Sequence, residues 1–203
     1  MICIMVKAIT LIATFWNVKP FLPAVLKFAP RKVILLIAGP DDKSMGANLD
    51  ALRTTFKDTF ALEKVKMPMD DIYEQAKRTV ELIDGEATPE NLVVVSVGGG
   101  WKTLTNGVLY GCYARPQRVH RIVGNTKDLD GVIDLPRLSY NLSPAKKAVL
   151  MKMAGRGGRS IAEIARELRR SRAMTYAYLR EMRDDGYVDE DFAVTDAGKL
   201  ALL

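Results

Sequence analysis

Two runs of this sequence carry residues suited to chemistry, and the chemistry they suit first is the binding of a phosphate-bearing ligand, with Lys102 or Thr14 also able to orient a reacting phosphate. In Ser96-Val97-Gly98-Gly99-Gly100-Trp101-Lys102-Thr103, consecutive glycines lead into a cation; in Thr14-Phe15-Trp16-Asn17, a hydroxyl, an indole and a carboxamide lie close together. Glycine lets a backbone approach a ligand closely, and a helix that follows offers free amides and a positive dipole end to a phosphate. Lys102 adds a mobile positive charge. A tight strand-to-helix turn also calls for glycine, so the run by itself is equally a structural turn.

Several reaction classes are excluded by spacing. A dinucleotide fingerprint, G-x-G-x-x-G, should follow the first strand, and residues 98–103 follow the fourth and lack the last glycine. A Walker A loop fails because Trp101 separates the glycines from Lys102-Thr103. Cys3, Cys112 and the lone His120 offer neither a metal-ligand spacing nor a disulfide framework. No His, Cys or Glu cluster marks an acid–base site, so the expectation leans away from an enzyme. A reducing cytoplasm is the expected compartment.

A second chemistry lies in the carboxyl-terminal third. Lys146, Lys147, Lys152, Arg156, Arg159, Arg166, Arg169, Arg170, Arg172, Arg180 and Arg183 face only Glu163, Glu167 and Glu181 over the same stretch, which concentrates the net charge of +6. Cations that neutralise phosphates release counterions and bind nucleic acid irrespective of sequence. Thr175, Leu179 and Met182 have core spacing on a helix, leaving Arg172, Tyr176, Arg180 and Arg183 toward the opposite face. Arg170, Arg172 and Tyr176 are then the candidates for base edges, and Arg180 and Arg183 for phosphates. The alternative is a solvated basic face used for protein association.

The elements that must position these residues follow from periodicity. Of 203 residues, 48% are hydrophobic and 27% charged, which suits a chain with a buried core, and the length suits two domains. Short β-branched runs alternate with helical patterns, predicting strands over 8–13, 32–38, 62–67 and 92–97, a fifth around 119–123, which holds His120, and a short sixth over 132–135. The first helix is expected near Pro20, with Phe21, Val25 and Phe28 toward the sheet. The second carries Met45, Leu49, Leu52 and Phe56, and the third Ile72, Ala76, Val80 and Ile83, as apolar stripes. This is an α/β fold: a Rossmann-like parallel sheet flanked by helices. The rhythm stops at Pro136, giving a first domain over 1–136, a linker over 137–143 and a second domain over 144–203.

That second domain has another grammar. Ser143-Pro144 opens a helix, Ser160 with Glu163 makes a capping box for a second, and a third runs from about Arg172 to Asp185. Three short helices within about forty residues fit a helix-turn-helix. Residues 187–194 then read as strand, turn and strand, a wing. The opening run from Ile2 to Trp16 is too short for a bilayer span, and Lys7 inside it with no small-residue cleavage site argues against export.

Two resemblances follow. The run from Leu179 through Gly186-Tyr187-Val188 to Thr195-Asp196-Ala197-Gly198 resembles the winged helix-turn-helix of many prokaryotic regulators. Ser96-Val97-Gly98-Gly99-Gly100-Trp101-Lys102, at a strand end in a Rossmann-like domain joined to a winged helix, resembles the CRISPR-associated Rossmann fold family, or CARF, notably its archaeal transcriptional regulators and relatives outside CRISPR loci. The resemblance implies a homodimer whose loops surround a cyclic oligoadenylate, commonly cyclic tetra-adenylate. It implies that Gly98, Gly99, Gly100 and Lys102 hold phosphate or ribose and that Thr14, Trp16 and Asn17 line the pocket. Trp101 departs from the usual smaller residue: it stacks on adenine, packs under the loop, or narrows the site. The combined expectation is a ligand-responsive regulator of transcription that binds double-stranded DNA through Arg159, Arg169, Arg170, Arg172, Tyr176, Arg180 and Arg183. The alternatives are a ring nuclease and a DNA-binding dimer with an unrelated ligand.

Overall fold

Aliphatic runs long enough for a strand and too short for a helix form the centre of the sheet. The structure, a computed structural model, describes residues 7–39, 43–138, 142–155 and 160–202. Its chain falls into two compact units that divide between Leu135 and Pro136.

In the first unit β1 (Ala8–Thr14), α1 (Leu22–Phe28), β2 (Lys32–Ala38), α2 (Lys43–Thr55), β3 (Ala61–Met67), α3 (Ile72–Glu86), β4 (Asn91–Ser96), α4 (Lys102–Ala114), β5 (Val119–Asn125) and β6 (Val132–Leu135) follow in order. The strands lie as β3-β2-β1-β4-β5-β6. The first five are mutually parallel and β6 runs antiparallel to β5. This is the mostly parallel, Rossmann-like α/β architecture that the alternating pattern predicts.

Helices cover both faces, which is why β1, β2 and β4 read as continuous apolar runs. On one face Phe21 and Val25 of the α1 region and Met45, Leu49 and Leu52 of α2 pack on Leu11, Ala13, Val33 and Leu35. On the other, Ile83 of α3 and Leu104, Val108 and Cys112 of α4 pack on Ile12, Ile34, Leu36, Val93 and Val95. Burial of Cys112 pushes its thiol up to about 12, so it acts as a small hydrophobe. His120 is exposed on β5.

Two helices differ from the sequence reading. The first begins at Leu22, and the proline in its first turn is Pro23 rather than Pro20. The third does not lay Ile72, Ala76 and Val80 on the sheet: its buried residues are Gln75, Thr79 and Ile83, and Ile72 is exposed. The reason lies on α4. A Cβ added to Gly107 would come within 2.3 Å of Gln75 Oε1 and 2.5 Å of Gln75 Cβ, and one on Gly111 within 2.7 Å of Thr79 Cβ and 2.8 Å of the Ala76 carbonyl. Two glycines one turn apart form a notch that admits α3 by its small and polar side. Periodicity ranks residues by hydrophobicity alone and does not register such close approach.

At the amino ends of the strands, Lys32 Nζ meets Glu86 at 2.6 Å and Glu63 at 3.0 Å. Thr10 donates to Glu86 at 3.0 Å, and Asn91 donates to Thr10 at 3.0 Å and to the Glu86 carbonyl at 2.7 Å. The hydrogen bonds to Glu86 first, then Glu63, hold the lysine above its ordinary value of 10.5. A raised lysine stabilises the fold fully below that ordinary value and loses the contribution only as pH rises through the higher one.

The second unit holds α5 (Pro144–Ala154), α6 (Ile161–Glu167), α7 (Arg172–Asp184) and α8 (Asp196–Leu200). Val149, Leu150, Ile164, Leu179, Met182, Tyr187 and Val188 form its core. Ser143, Ser160, Ser171 and Thr195 each cap a helix by side-chain hydrogen bonding, and Ser160 with Glu163 completes a capping box. The strand-turn-strand expected over 187–194 is reduced to a single antiparallel bridge, Val188 to Val194. Asp189 accounts for the shortening: its carboxylate accepts from Asp191 N at 3.0 Å and Ala193 N at 2.8 Å, so the side chain closes the turn in place of further ladder.

Gly111→Ala is expected to lower stability by about 1–3 kcal/mol, the range for overpacking a close-packed contact. Urea denaturation reads this directly, and a loss below about 0.5 kcal/mol would mean that α3 and α4 do not approach so closely. Lys32→Met is expected to lose about 1 kcal/mol at pH 7, because its partly exposed ion pairs are worth no more than that.

Candidate functional site

The strand order reverses between β1 and β4, and in open α/β sheets that switch point, at the carboxyl ends of the strands, is where a crevice forms. Both chemically suggestive runs leave the sheet there. Between them lies a cavity of about 540 Å³ lined, among the described residues, by Trp16, Gly100, Trp101, Lys102 and Thr103.

The indoles of Trp16 and Trp101 meet edge to face, with centroids 5.5 Å apart and planes at 76°. Trp101 remains 44% exposed, which leaves ring surface available beyond that contact. It is also the N-cap of α4, with no side-chain cap hydrogen bond, and no acidic residue lies in the helix's first turn. The first amides of α4 therefore lack intrahelical acceptors, and the positive end of its dipole opens beside the cavity. Lys102 Nζ has no partner among the described residues.

The remaining residues of the two runs lie beneath or beside the cavity. Thr14 is 2% exposed; its hydroxyl donates to the Gly99 carbonyl and, at 3.5 Å, lies near the Ser96 carbonyl. A Cβ on Gly99 would stand 2.7 Å from the Thr14 carbonyl, and one on Gly98 2.4 Å from Asn125 Nδ2. Gly98 and Gly99 thus serve packing on β1 and β5, and Gly100, at φ +81, makes the turn into α4. Asn17 is exposed and does not line the cavity, although its neighbour Trp16 accepts at its carbonyl from Asn48 at 3.2 Å. Thr103 is the lining residue that sequence reasoning passed over as a contact; its position one residue after Lys102 was the available signal.

In the second unit, residues 168–171 join α6 to α7, with Arg169 in the left-handed region at φ 51, a position that favours glycine. Arg166, Arg170 and Arg172, with Ala162, Glu163 and Ala165, line a concavity of about 250 Å³. Arg170 lies over the Tyr178 ring at 5.6 Å and reaches Met174 Sδ at 3.6 Å. Tyr176 is 40% exposed and packs edge-on against Phe192 at 6.4 Å. Arg159 lies outside the described residues.

The charge count from sequence overstates the free cations. Lys146 pairs with Glu181 at 2.9 Å, Lys152 with Glu167 at 2.8 Å, and Arg183 with Asp184 at 3.4 Å and Glu190 at 3.6 Å. Arg169, Arg172 and Arg180 are exposed and without a partner among the described residues.

The fold is similar to known structures. Csm6 of Enterococcus italicus, bound to cyclic hexa-2'-fluoro-hexa-dAMP, matches over 72% of this chain and 46% of its own, with a TM-score of 0.56 and 10% identity. Can2 from Sulfobacillus thermosulfidooxidans, in complex with cyclic tetra-adenylate, matches over 96% of this chain and 56% of its own, with a TM-score of 0.51 and 14% identity. The chain therefore spans about half the length of these neighbours, and the likeness is one of fold. No family model and no curated protein matches the sequence. No helix among the described residues is long and apolar enough to cross a membrane, and none of their His, Cys, Asp and Glu side chains cluster to hold a metal.

Because the two tryptophans of the chain sit together, they are expected to give an exciton-coupled signal in circular dichroism near 225 nm. Trp101→Phe should abolish the couplet rather than halve the signal; a merely halved spectrum would place the rings apart.

Proposed function

We propose that this chain is a ligand-responsive, DNA-binding regulator of transcription, with a CARF-type nucleotide site in its first unit and a winged helix-turn-helix in its second. The observation that carries the reading is the cavity at the β1/β4 switch point. Two indoles provide stacking surface, and Lys102 with the first amides of α4 provides positive charge for a phosphate. A cyclic oligoadenylate presents adenine rings and phosphates together, and two fold neighbours are described in complex with such rings or a close analogue.

The size of the cavity bears on assembly. About 540 Å³ is within the range that takes one drug-sized molecule, which is less than a ring of four nucleotides. Ring binding therefore calls for two copies of the chain facing one another across a two-fold axis, each holding part of the ring. After Lys102, α4 carries no charged residue as far as Ala114, so copies can meet along it without like charges opposing.

For the second unit the reading rests on α7, whose exposed Arg172 and Arg180 have no acidic partner and whose N-terminal end carries Tyr176. This helix would enter a major groove, with the capped α6 and the turn at Arg169 behind it. Dimerisation would present two such helices to half-sites about 34 Å apart, and occupancy of the nucleotide site would change the affinity for DNA.

Calorimetric titration with cyclic tetra-adenylate tests the first half. One ring per two chains is expected, with Lys102→Ala weakening binding at least about tenfold, the scale of one lost charge-assisted hydrogen bond. Chromatography of the recovered ligand separates a receptor, which returns the ring intact, from a ring nuclease, which returns linear products. For the second half, Arg172→Ala with Arg180→Ala should weaken duplex binding by about 2–4 kcal/mol in a gel-shift assay, at 1–2 kcal/mol for each contact. Unchanged DNA affinity in that double variant would exclude α7 as the DNA-contacting helix.

A further inference from the structure

The two segments that wall the cavity come from different strands, and the carbonyls at their backs face a single side chain. Asn125, the last residue of β5, donates through Nδ2 to the Pro20 carbonyl at 2.9 Å and to the Gly98 carbonyl at 3.1 Å. Pro20 closes the segment that carries Trp16; Gly98 opens the one that carries Trp101 and Lys102. One carboxamide nitrogen thus joins both segments to the sheet.

The orientation of this carboxamide follows from its surroundings. With two carbonyl oxygens on one side, the amide must present its nitrogen there, because the reverse would set oxygen against oxygen. The consequence is that Asn125 Oδ1 is buried without a hydrogen-bond partner among the described residues. A buried acceptor left unpaired costs about 1–3 kcal/mol, so its retention has to be offset by what the nitrogen secures. Space is equally specific: a Cβ on Gly98 would lie within 2.5 Å of Asn125 Cγ, Oδ1 and Nδ2 alike. The first glycine of the run is therefore matched to Asn125 and leaves room for its carboxamide.

We infer that Asn125 is the positioning residue of the nucleotide site: by holding Pro20 and Gly98 together it sets the separation of Trp16 and Trp101 and the direction of Lys102. This rests on the nucleotide-site reading proposed above. Asn125 touches no cavity surface and acts only through the two segments it joins. It marks as part of the site a strand that neither chemically suggestive run includes.

The test uses Asn125→Asp in the full-length chain. Aspartate keeps the shape but replaces the double donor with an acceptor, so both carbonyls are repelled. The expected result is loss of the Trp16–Trp101 couplet with the helical signal at 222 nm retained, and affinity for cyclic tetra-adenylate reduced at least about tenfold, because the indoles and Lys102 must then be ordered at the expense of binding. An intact couplet with affinity within twofold of the parent overturns the proposal. If the parent chain binds no cyclic tetra-adenylate, the nucleotide reading fails while the couplet still decides the positioning role.

Should Asn125→Asp not fold, a pair of glycine exchanges decides instead. Gly98→Ala alone should remove the couplet by driving the new methyl into the carboxamide. Gly98→Ala combined with Asn125→Gly should recover solubility and a cooperative melt, because the methyl then occupies the vacated space. Equal damage in the single and double variants would show that the two residues are not coupled, and would overturn the proposal.

Discussion

The close contact between the 98–100 turn and the end of β1 is the constraint on which the rest of the first unit's site depends. Thr14 gives its hydroxyl to the Gly99 carbonyl, and the Gly99 Cα stands where any side chain would strike the Thr14 carbonyl. With that contact made, Gly100 can turn at positive φ directly into α4, and the helix begins at Lys102 above the crevice rather than farther along the chain. Loosening it would move the helix N-terminus, the Trp101 indole at its N-cap position and the lysine beside it together.

Much of this architecture was legible in the sequence because parallel strands buried on both faces leave an unmistakable record. The run Val33 to Ala38 has no reason to be uniformly apolar unless helices cover it from above and below. The two candidate segments were legible by position: both follow strands of a parallel sheet, where open α/β folds form their crevice, and the glycines and Lys102 of the second suit a phosphate as well as a turn. What each residue does there was less accessible. Thr14 and Gly98 look in sequence like ligand contacts and in three dimensions are packing partners of Gly99 and Asn125, because the distinction depends on which side of a turn faces the sheet. Asn125 itself carried no local signal at all, since its two acceptors lie 27 and 105 residues away in sequence.

The same division applies to helix faces and charge. The apolar stripe on α3 placed Ile83 correctly and missed Gln75 and Thr79, because glycine on a neighbouring helix outweighs a few methylenes when backbones can come close. In the second unit, the linear density of lysine and arginine was plain, but the pairing of Lys146, Lys152 and Arg183 with acids from other turns was not. Those pairs anchor helices and the hairpin turn, and they leave a smaller, better defined set of arginines on the exposed side of α7.

The glycine notch on α4 has a mechanical consequence. Helices separated by ordinary side chains can slide or tilt independently as those side chains change rotamer, whereas backbones in near contact have no such slack. Gly107 and Gly111 lock α3 and α4 into one stiff strut about 20 Å long, the rise of a thirteen-residue helix. A push at the cavity mouth of a few tenths of an ångström would not be absorbed in the first turn. It would displace the far ends of both helices together, at the amino ends of the strands, as a lever does and a cushion does not.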